Sequence, residues 1–433
     1  MLQSSILVTI ITLLGSALGF CVQLLMARSY GAGMEVDAYL FAISAPTFIA
    51  GMVASMLSYA VIPKMAQTNE NSEAQNRLIV SLLALIFSLA VGLIFLSPIL
   101  LLMQQKLLPG SSAILKVSNI DNLLLIGWCI AAAQIILAAL CVVLTGLKHA
   151  IAAASLNLGA YFGMLGSLVF FENDSINKLA LGMLTGTCAA FMVALYLLRA
   201  RVFSNWHKFT WSEIHVLVIN SPYTIIAMSC FSVYAVVDSY WGPRAGDGVL
   251  SSLGYSQRII IALGNLAVAG PSAVLVPRFA ELIAAKNLEG FIHVLKQSLG
   301  ATFTVCLLLA TGLFFGGDYL ISLMFKNAAF QDDLSMNVAN ILKFCLPGMV
   351  FMLASSIALR ALYCFAGTEK LSAYLGAGWG LLYFSISGAM VPNGGVGLAI
   401  SYSATWFIYF SLLIYYIFQE VRKMSKVNGA AYE

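Results

Sequence analysis

The chain has 433 residues, 61% of them hydrophobic and only 9% charged, with a formal net charge of +4. A soluble domain carries about 25% charged residues, so this composition cannot cover a water-facing surface, and a charge this small offers no footprint for nucleic acid. Apolar runs longer than the roughly 20 residues needed to cross a bilayer as a helix recur along the chain, which predicts an all-α polytopic membrane protein.

In chain order the predicted spans are 5–27, 36–62, 78–103, 119–146, 150–171, 179–199, 213–241, 248–277, 291–317, 338–365, 371–391 and 395–419, about twelve in all. The first is too long for a signal h-region and has no basic residue before it, so it is expected to stay in the protein. The segment RSYGAGMEVDAY (Arg28 to Tyr39) makes a polar, glycine-bearing loop between spans 1 and 2 and sets Asp37 at the mouth of span 2. Lysine and arginine are more frequent in the loops at 64–77, 199–208 and 278–296 and in the C-terminal tail than in the alternate loops. Basic residues favour the cytoplasmic side, which predicts both termini inside and the Arg28–Tyr39 loop outside.

The two halves resemble each other. Span 2 ends in AVIPKMA (Ala60 to Ala66) and span 8 in VLVPRFA (Val274 to Ala280), and each span follows a glycine-bearing loop. Six spans separate equivalent positions, so the halves point the same way. That is a parallel repeat about an axis along the membrane normal, with the substrate expected in a central cavity between two six-helix lobes, 1–209 and 210–433.

Ionisable side chains inside a span cost free energy and mark cavities or partners. Arg258 lies well inside span 8, in GYSQRIIIALGN, beside Tyr255, Ser256 and Gln257, with Asn265 seven residues on and on roughly the same face. A guanidinium there either holds an anion, for which its bidentate fork suits phosphate, or forms an ion pair with Asp238. Asp238, in VYAVVDSYWG of span 7, has three readings: a partner for Arg258 or Arg244, a coupling-cation site, or an interfacial residue beside Tyr240 and Trp241. Pro46 and Gly51 in span 2, and Gly264 and Pro271 in span 8, are hinge candidates. Cysteines and histidines show no metal-ligand spacing, no phosphate-binding glycine loop or nucleophile elbow occurs, and neither a catalytic residue nor a cofactor is expected.

The block from Gly19 to Pro46, GF-x₇-AR-x₂-GAGMEVDAYLFAISAP, with AVIPKMA after it, resembles the N-terminal signature of the MurJ/MviN family of the multidrug/oligosaccharidyl-lipid/polysaccharide exporter superfamily. Gly254 to Glu281 is similar to that family's span 8. The resemblance implies a flippase moving a polyprenyl-diphosphate-linked saccharide, lipid II or a related lipid-linked oligosaccharide, to the outer leaflet of the bacterial inner membrane by alternating access. It implies Arg258 and Arg28 as diphosphate ligands, Asp37 as a latch between lobes or a cap for span 2, and a monomer driven by a coupling cation or the membrane potential. The family carries cationic residues near positions where this chain has Ser16, Val22, Ala50 and Gly51, and it commonly has fourteen spans. A cation-coupled exporter of drugs or small solutes and a non-transporting scaffold in envelope synthesis are the competing readings.

Overall fold

The computed structural model describes residues 2–67, 72–107, 120–170, 175–203, 210, 222–325, 332–365 and 367–430. A chain in hydrocarbon must satisfy every backbone N–H and C=O internally, and helices do this within one segment. The described elements are α1 (Leu2–Tyr30), α2 (Met34–Gln67), α3 (Ser72–Leu107), α4 (Ile120–Gly146), α5 (Ala150–Leu156), α6 (Gly159–Phe170) and α7 (Asn177–Phe203). They continue with α8 (Pro222–Ala245), α9 (Val249–Ala284), α10 (Leu288–Phe325), α11 (Asp332–Tyr363), α12 (Glu369–Met390) and α13 (Gly394–Ala430), the last two joined by a 3₁₀ turn at Val391–Asn393. Among the described residues nine segments are long and apolar enough to cross a membrane, one of which, Glu369–Ser425, holds both α12 and α13. With α8 and α9 these helices account for the twelve expected spans.

Two spans show detail beyond the expectation. Span 5, present as Ala150–Phe170, carries a break where α5 and α6 meet at Asn157 and Leu158. Span 7, expected from 213, is described only from Pro222, and the helix runs on to Ala245; residues 213–221 and the lobe boundary at 209 lie outside the described residues.

The helix packing repeats. In the first half α1 packs on α5 and α6, α2 on α4, α4 on α3 and α7, and α6 on α7. In the second half α8 packs on α12, α9 on α11, α11 on α10 and α13, and α12 on α13. Each pair in one list has its counterpart in the other. Met65 of AVIPKMA and Phe279 of VLVPRFA are both fully buried, Phe279 with its ring 5.4 Å from that of Phe291. The lobes meet through α2 against α8 and α1 against α9, again a symmetric pair of contacts.

The core is shared at one end only. One buried cluster joins Val22 to Ala42 of the first lobe to Val237, Leu250 to Ile260 and most of the second lobe. The other half of the first lobe, including Leu57, Met65, Leu140 and Leu198, has a separate core. Among the described residues the lobes are therefore fused around the 31–33 and 246–248 loops and independent at the opposite end.

Helix contacts depend on small residues where backbones touch. Pro46, buried in α2, has no N–H to give the Ala42 carbonyl, and α4 packs there through Gly127, where a methyl group would lie 2.7 Å from Ala42 O. The Gln104 amide of α3 donates to Phe41 O at 2.9 Å on the same turn. α6 and α7 approach through Gly159 and Gly163 against Gly182 and Gly186; a Cβ on Gly163 would meet Gly182 O at 2.1 Å, whereas one on Gly166 would meet nothing. Small residues let helix backbones close on each other in membranes. Gly163→Ala is expected to destabilise the protein by about 1–3 kcal/mol, the usual range for overpacking, and Gly166→Ala to leave it unchanged. Thermal unfolding of the two detergent-purified variants measures the difference.

Candidate substrate cavity and interlobe latch

The latch is built from the first loop upward. α1 ends at Tyr30, and Gly31 takes a φ of +70°, a left-handed conformation that glycine adopts without a Cβ penalty. α2 starts at Met34 and carries Asp37, only 2% exposed, in its first turn. Asp37 does not cap its own helix. Its Oδ2 accepts the Gly248 N–H at 2.9 Å and its Oδ1 the Ser251 N–H at 2.7 Å. These are free donors at the N-terminus of α9, in the other lobe. A helix N-terminus leaves its first N–H groups unsatisfied and carries partial positive charge, so a carboxylate is a strong partner for it. Gly248, the residue before α9, has φ +73°, and a Cβ there would come within 2.8 Å of Ala32 O. Tyr255 adds a second interlobe bond, its hydroxyl donating to Gly31 O at 2.6 Å.

This end lies on the repeat axis. Asp37 and Ser251 are 214 residues apart, the spacing that relates AVIPKMA to VLVPRFA. Leu40 and Gly254 have the same separation and also touch, with Leu40 Cδ1 3.0 Å from where a Gly254 Cβ would stand.

About two and a half turns along α9 from the latch, Arg258 reaches a small interlobe cavity of about 90 Å³ between α2, α8 and α9. Ser44, Thr47, Tyr234, Asp238 and Gln257 share its walls. Arg258 is exposed and interacts electrostatically with Tyr39 and Tyr234. No hydrogen bond or ion pair holds its guanidinium among the described residues.

Asp238 is neither interfacial nor an ion-pair partner of the arginines. It is 2% exposed, and its Oδ2 accepts Gln257 Nε2 at 2.6 Å while its Oδ1 accepts the Tyr383 hydroxyl at 2.5 Å. Burying a carboxylate is costly unless its oxygens are hydrogen-bonded, and two neutral donors supply those bonds. The effect is to tie α9 to α8 and α12 at the residue before Arg258. Arg244 instead donates to Tyr240 O at 2.6 Å and stacks 3.9 Å from the Tyr240 ring centroid.

The remaining sequence candidates separate. Arg28 sits exposed in the last turn of α1, at the latch end, and does not line the Arg258 cavity. Tyr255 belongs to the latch. Ser256 is buried and donates to Ser252 O and Val338 O, facing α11. Gln257 lines the cavity. Asn265 and Pro271 are on α9, but their side chains lie outside the described residues. Pro46 is buried against α4, Gly51 faces Ser232 across the lobe interface, and Gly264 packs on Leu353. Sequence reasoning missed two further features. One is a cavity of about 590 Å³ in the first lobe, with Thr12, Ser16, Ser58, Asn157 and Tyr161 among its walls. The other is an apolar groove of about 320 Å³ between α1 and α9, where Leu13, Ser16 and Phe20 face Ile259, Ala262 and Leu263. Ser16 borders both. The only signal for the first cavity was Asn157, a lone amide inside an apolar run.

Residues 26–431 match the family described as lipid II flippase MurJ. The chain is 22% identical over 429 residues to a probable lipid II flippase MurJ from Treponema pallidum (strain Nichols), covering 93% of this chain and 79% of that one. It shares its fold with a lipid II flippase MurJ in an inward closed conformation, with a TM-score of 0.76, 20% identity, and 97% and 90% of the two chains covered. A multidrug resistance MATE family transporter in an inward-facing conformation superimposes with a TM-score of 0.81 at 12% identity, covering 95% and 96%.

Loss of the Asp37 carboxylate strands two N–H groups of α9. Asp37→Ala should weaken closure of this end by about 0.5–2 kcal/mol, the range for removal of a helix cap. Spin labels on Ser29→Cys and Asp247→Cys, both exposed beside the latch, should report a longer and broader distance distribution in that background, and an unchanged distribution would show that the latch contributes little.

Proposed function

The chain belongs to the MurJ family of lipid II flippases, a family of multi-pass proteins of the bacterial inner membrane, and on that premise we propose that Arg258 is the anchor for the diphosphate of a polyprenyl-linked saccharide carried from the cytoplasmic to the outer leaflet. One observation carries this reading: a guanidinium exposed to an interlobe cavity and in no ion pair among the described residues, the one carboxylate on the same walls, Asp238, being held by Gln257 and Tyr383. A cation inside a membrane protein faces a wet cavity or a counter-charge, and a diphosphate supplies the counter-charge.

The rest of the site suits a lipid of this kind. The apolar groove between α1 and α9 runs beside Arg258, through Ile259 and Ala262, and gives a polyprenyl chain a lateral path while its headgroup enters the cleft. With both termini cytoplasmic, as the basic loops favour, the fused end bearing the Asp37 latch is the outer gate and the separated end opens to the cytoplasm. Alternating access then breaks the Asp37 and Tyr255 bonds and closes the lobes at the other end. The protein works as a monomer, because the whole path lies within one chain.

A cation-coupled exporter, which the superfamily fold also serves, would need an available carboxylate. Asp238 is already held by Gln257 and Tyr383, and Arg258 repels organic cations, so the lipid-linked substrate is the better fit. A scaffold would be indifferent to Arg258. Arg258→Ala should lower affinity for a polyprenyl diphosphate by about 1.5–3 kcal/mol, the worth of hydrogen bonds to a charged group, with unchanged thermal stability and with part of the affinity restored by Arg258→Lys. Binding isotherms from native mass spectrometry of the three proteins measure this; equal affinities would refute the assignment.

A further inference from the structure

The seam between α6 and α7 opens into a groove that neither the latch nor the Arg258 site uses. Gly163, Gly166 and Phe170 of α6 and Lys178, Leu181 and Gly182 of α7 border a space of about 620 Å³. A second space, of about 500 Å³, continues along the same seam to Val193, and the two share Gly163 and Thr185. Together they follow α7 from Lys178 to Val193, about 22 Å of helical rise. One leaflet of hydrocarbon, half of the bilayer core, is about 15 Å thick. The exposed side chains of Phe162, Phe170 and Leu181 flank the groove, so it faces the surrounding lipid.

Backbone contact accounts for most glycines of the seam but not for all. A Cβ on Gly159, Gly163, Gly182 or Gly186 would meet a neighbouring atom within 2.6 Å, whereas one on Gly166 would meet nothing within 4 Å. The missing side chain of Gly166 holds the groove open and does not draw the helices together. The hydroxyls along the floor are already used: Ser167 donates to Met164 O at 2.8 Å and Thr185 to Gly182 O at 3.1 Å. Neither brings an unmet donor into hydrocarbon. A polar mouth stands at one end, formed by Ser175, Asn177 and Lys178. Lys178 is half-buried, with its ammonium 5.8 Å from the centroid of the Tyr30 ring. The Tyr30 hydroxyl donates to Ser175 O at 3.3 Å, so the mouth lies where α1 ends, beside the latch loop. A snorkelling lysine needs only water above it; this one stands over an unfilled apolar groove with no acidic side chain among its described walls.

We infer that this groove binds an anionic glycerophospholipid of the membrane, with its phosphate at Lys178 and one acyl chain along the α6/α7 seam. A lysine ammonium binds phosphate as a point charge, and Ser175 and Asn177 add polar groups at the level of the glycerol and its esters. The groove is longer than one leaflet is thick, so it covers an acyl chain to its end. Charge complementarity at the mouth selects a lipid of net negative charge over a zwitterionic one, whose own cation already neutralises its phosphate. The site shares no residue with the Arg258 cavity and does not depend on the diphosphate assignment.

The test is native mass spectrometry of the full chain titrated with phosphatidylglycerol and with phosphatidylcholine of the same acyl chains. Wild type should prefer phosphatidylglycerol by about fivefold, the worth of one basic residue beside an anionic lipid. Lys178→Gln should erase that preference and Lys178→Arg should keep it. Gly166→Leu, which fills the groove at a position free of helix contact, should weaken binding of both lipids. Equal binding of the two phospholipids by wild type, or a preference that survives Lys178→Gln, overturns the site. A preference lost in Arg258→Ala and kept in Lys178→Gln places the phospholipid in the interlobe cleft and overturns it as well. A polyprenyl diphosphate serves as the third probe. Its affinity should be unchanged by Lys178→Gln, and a loss there would assign the groove to the transported lipid and refute the phospholipid assignment.

Discussion

The architecture turns on a carboxylate of one lobe seated on the helix end of the other. Asp37 receives two backbone N–H groups of α9, and these are donors that α9 cannot satisfy for itself. Everything at this end follows from that requirement: the left-handed turn at Gly248, the approach of Ala32, the Tyr255 bond to Gly31, and the single core beneath them. Hydrogen bonds to backbone at a helix terminus are directional and few, so they set the register in which the shared apolar core of the two lobes closes.

Symmetry places the latch, and its breaking builds the site. The two lobes pack alike, helix for helix, yet the axis passes through unlike residues. Asp37 faces Ser251, its repeat equivalent, and Arg258 stands where the first lobe has Ser44. The cation is therefore one-sided. Its positioning also comes from one side, through the Asp238–Gln257–Tyr383 bonds that tie α8, α9 and α12 together. The first lobe contributes neutral polar groups, Ser44 and Thr47, in place of charge.

Much of this is legible in the sequence, because membrane crossing leaves a one-dimensional record. Span number, span order and the repeat are written in apolar run length and in AVIPKMA and VLVPRFA. Arg258 stands out since a charge in an apolar run is expensive. What could not be read is which partner satisfies a polar group. Asp37 at the start of α2 has the local pattern of a cap for its own helix, but its acceptors are used by a helix start 211 and 214 residues away. Asp238 beside Tyr240 and Trp241 looks interfacial, yet Tyr383, 145 residues further on, makes it a buried structural acid. Arg28 shares a signature block with Asp37 but ends α1 facing outward. The Gly159, Gly163, Gly182 and Gly186 contact was visible only as composition, since spacing alone does not say which helix a glycine meets.

The separation of the two cores has an electrical consequence. Between the capped start of α9 and Arg258 there are ten residues of helix, about 15 Å of rise, against a hydrocarbon thickness of about 30 Å. When the lobes part at the end where their cores are separate, a water-filled cleft reaching Arg258 would conduct and hold little voltage. The transmembrane field is then compressed into the fused half of the protein, at roughly twice its mean strength, and it acts on whatever sits at the bottom of the cleft. A diphosphate held at Arg258, as proposed, would wait at the edge of that steep field.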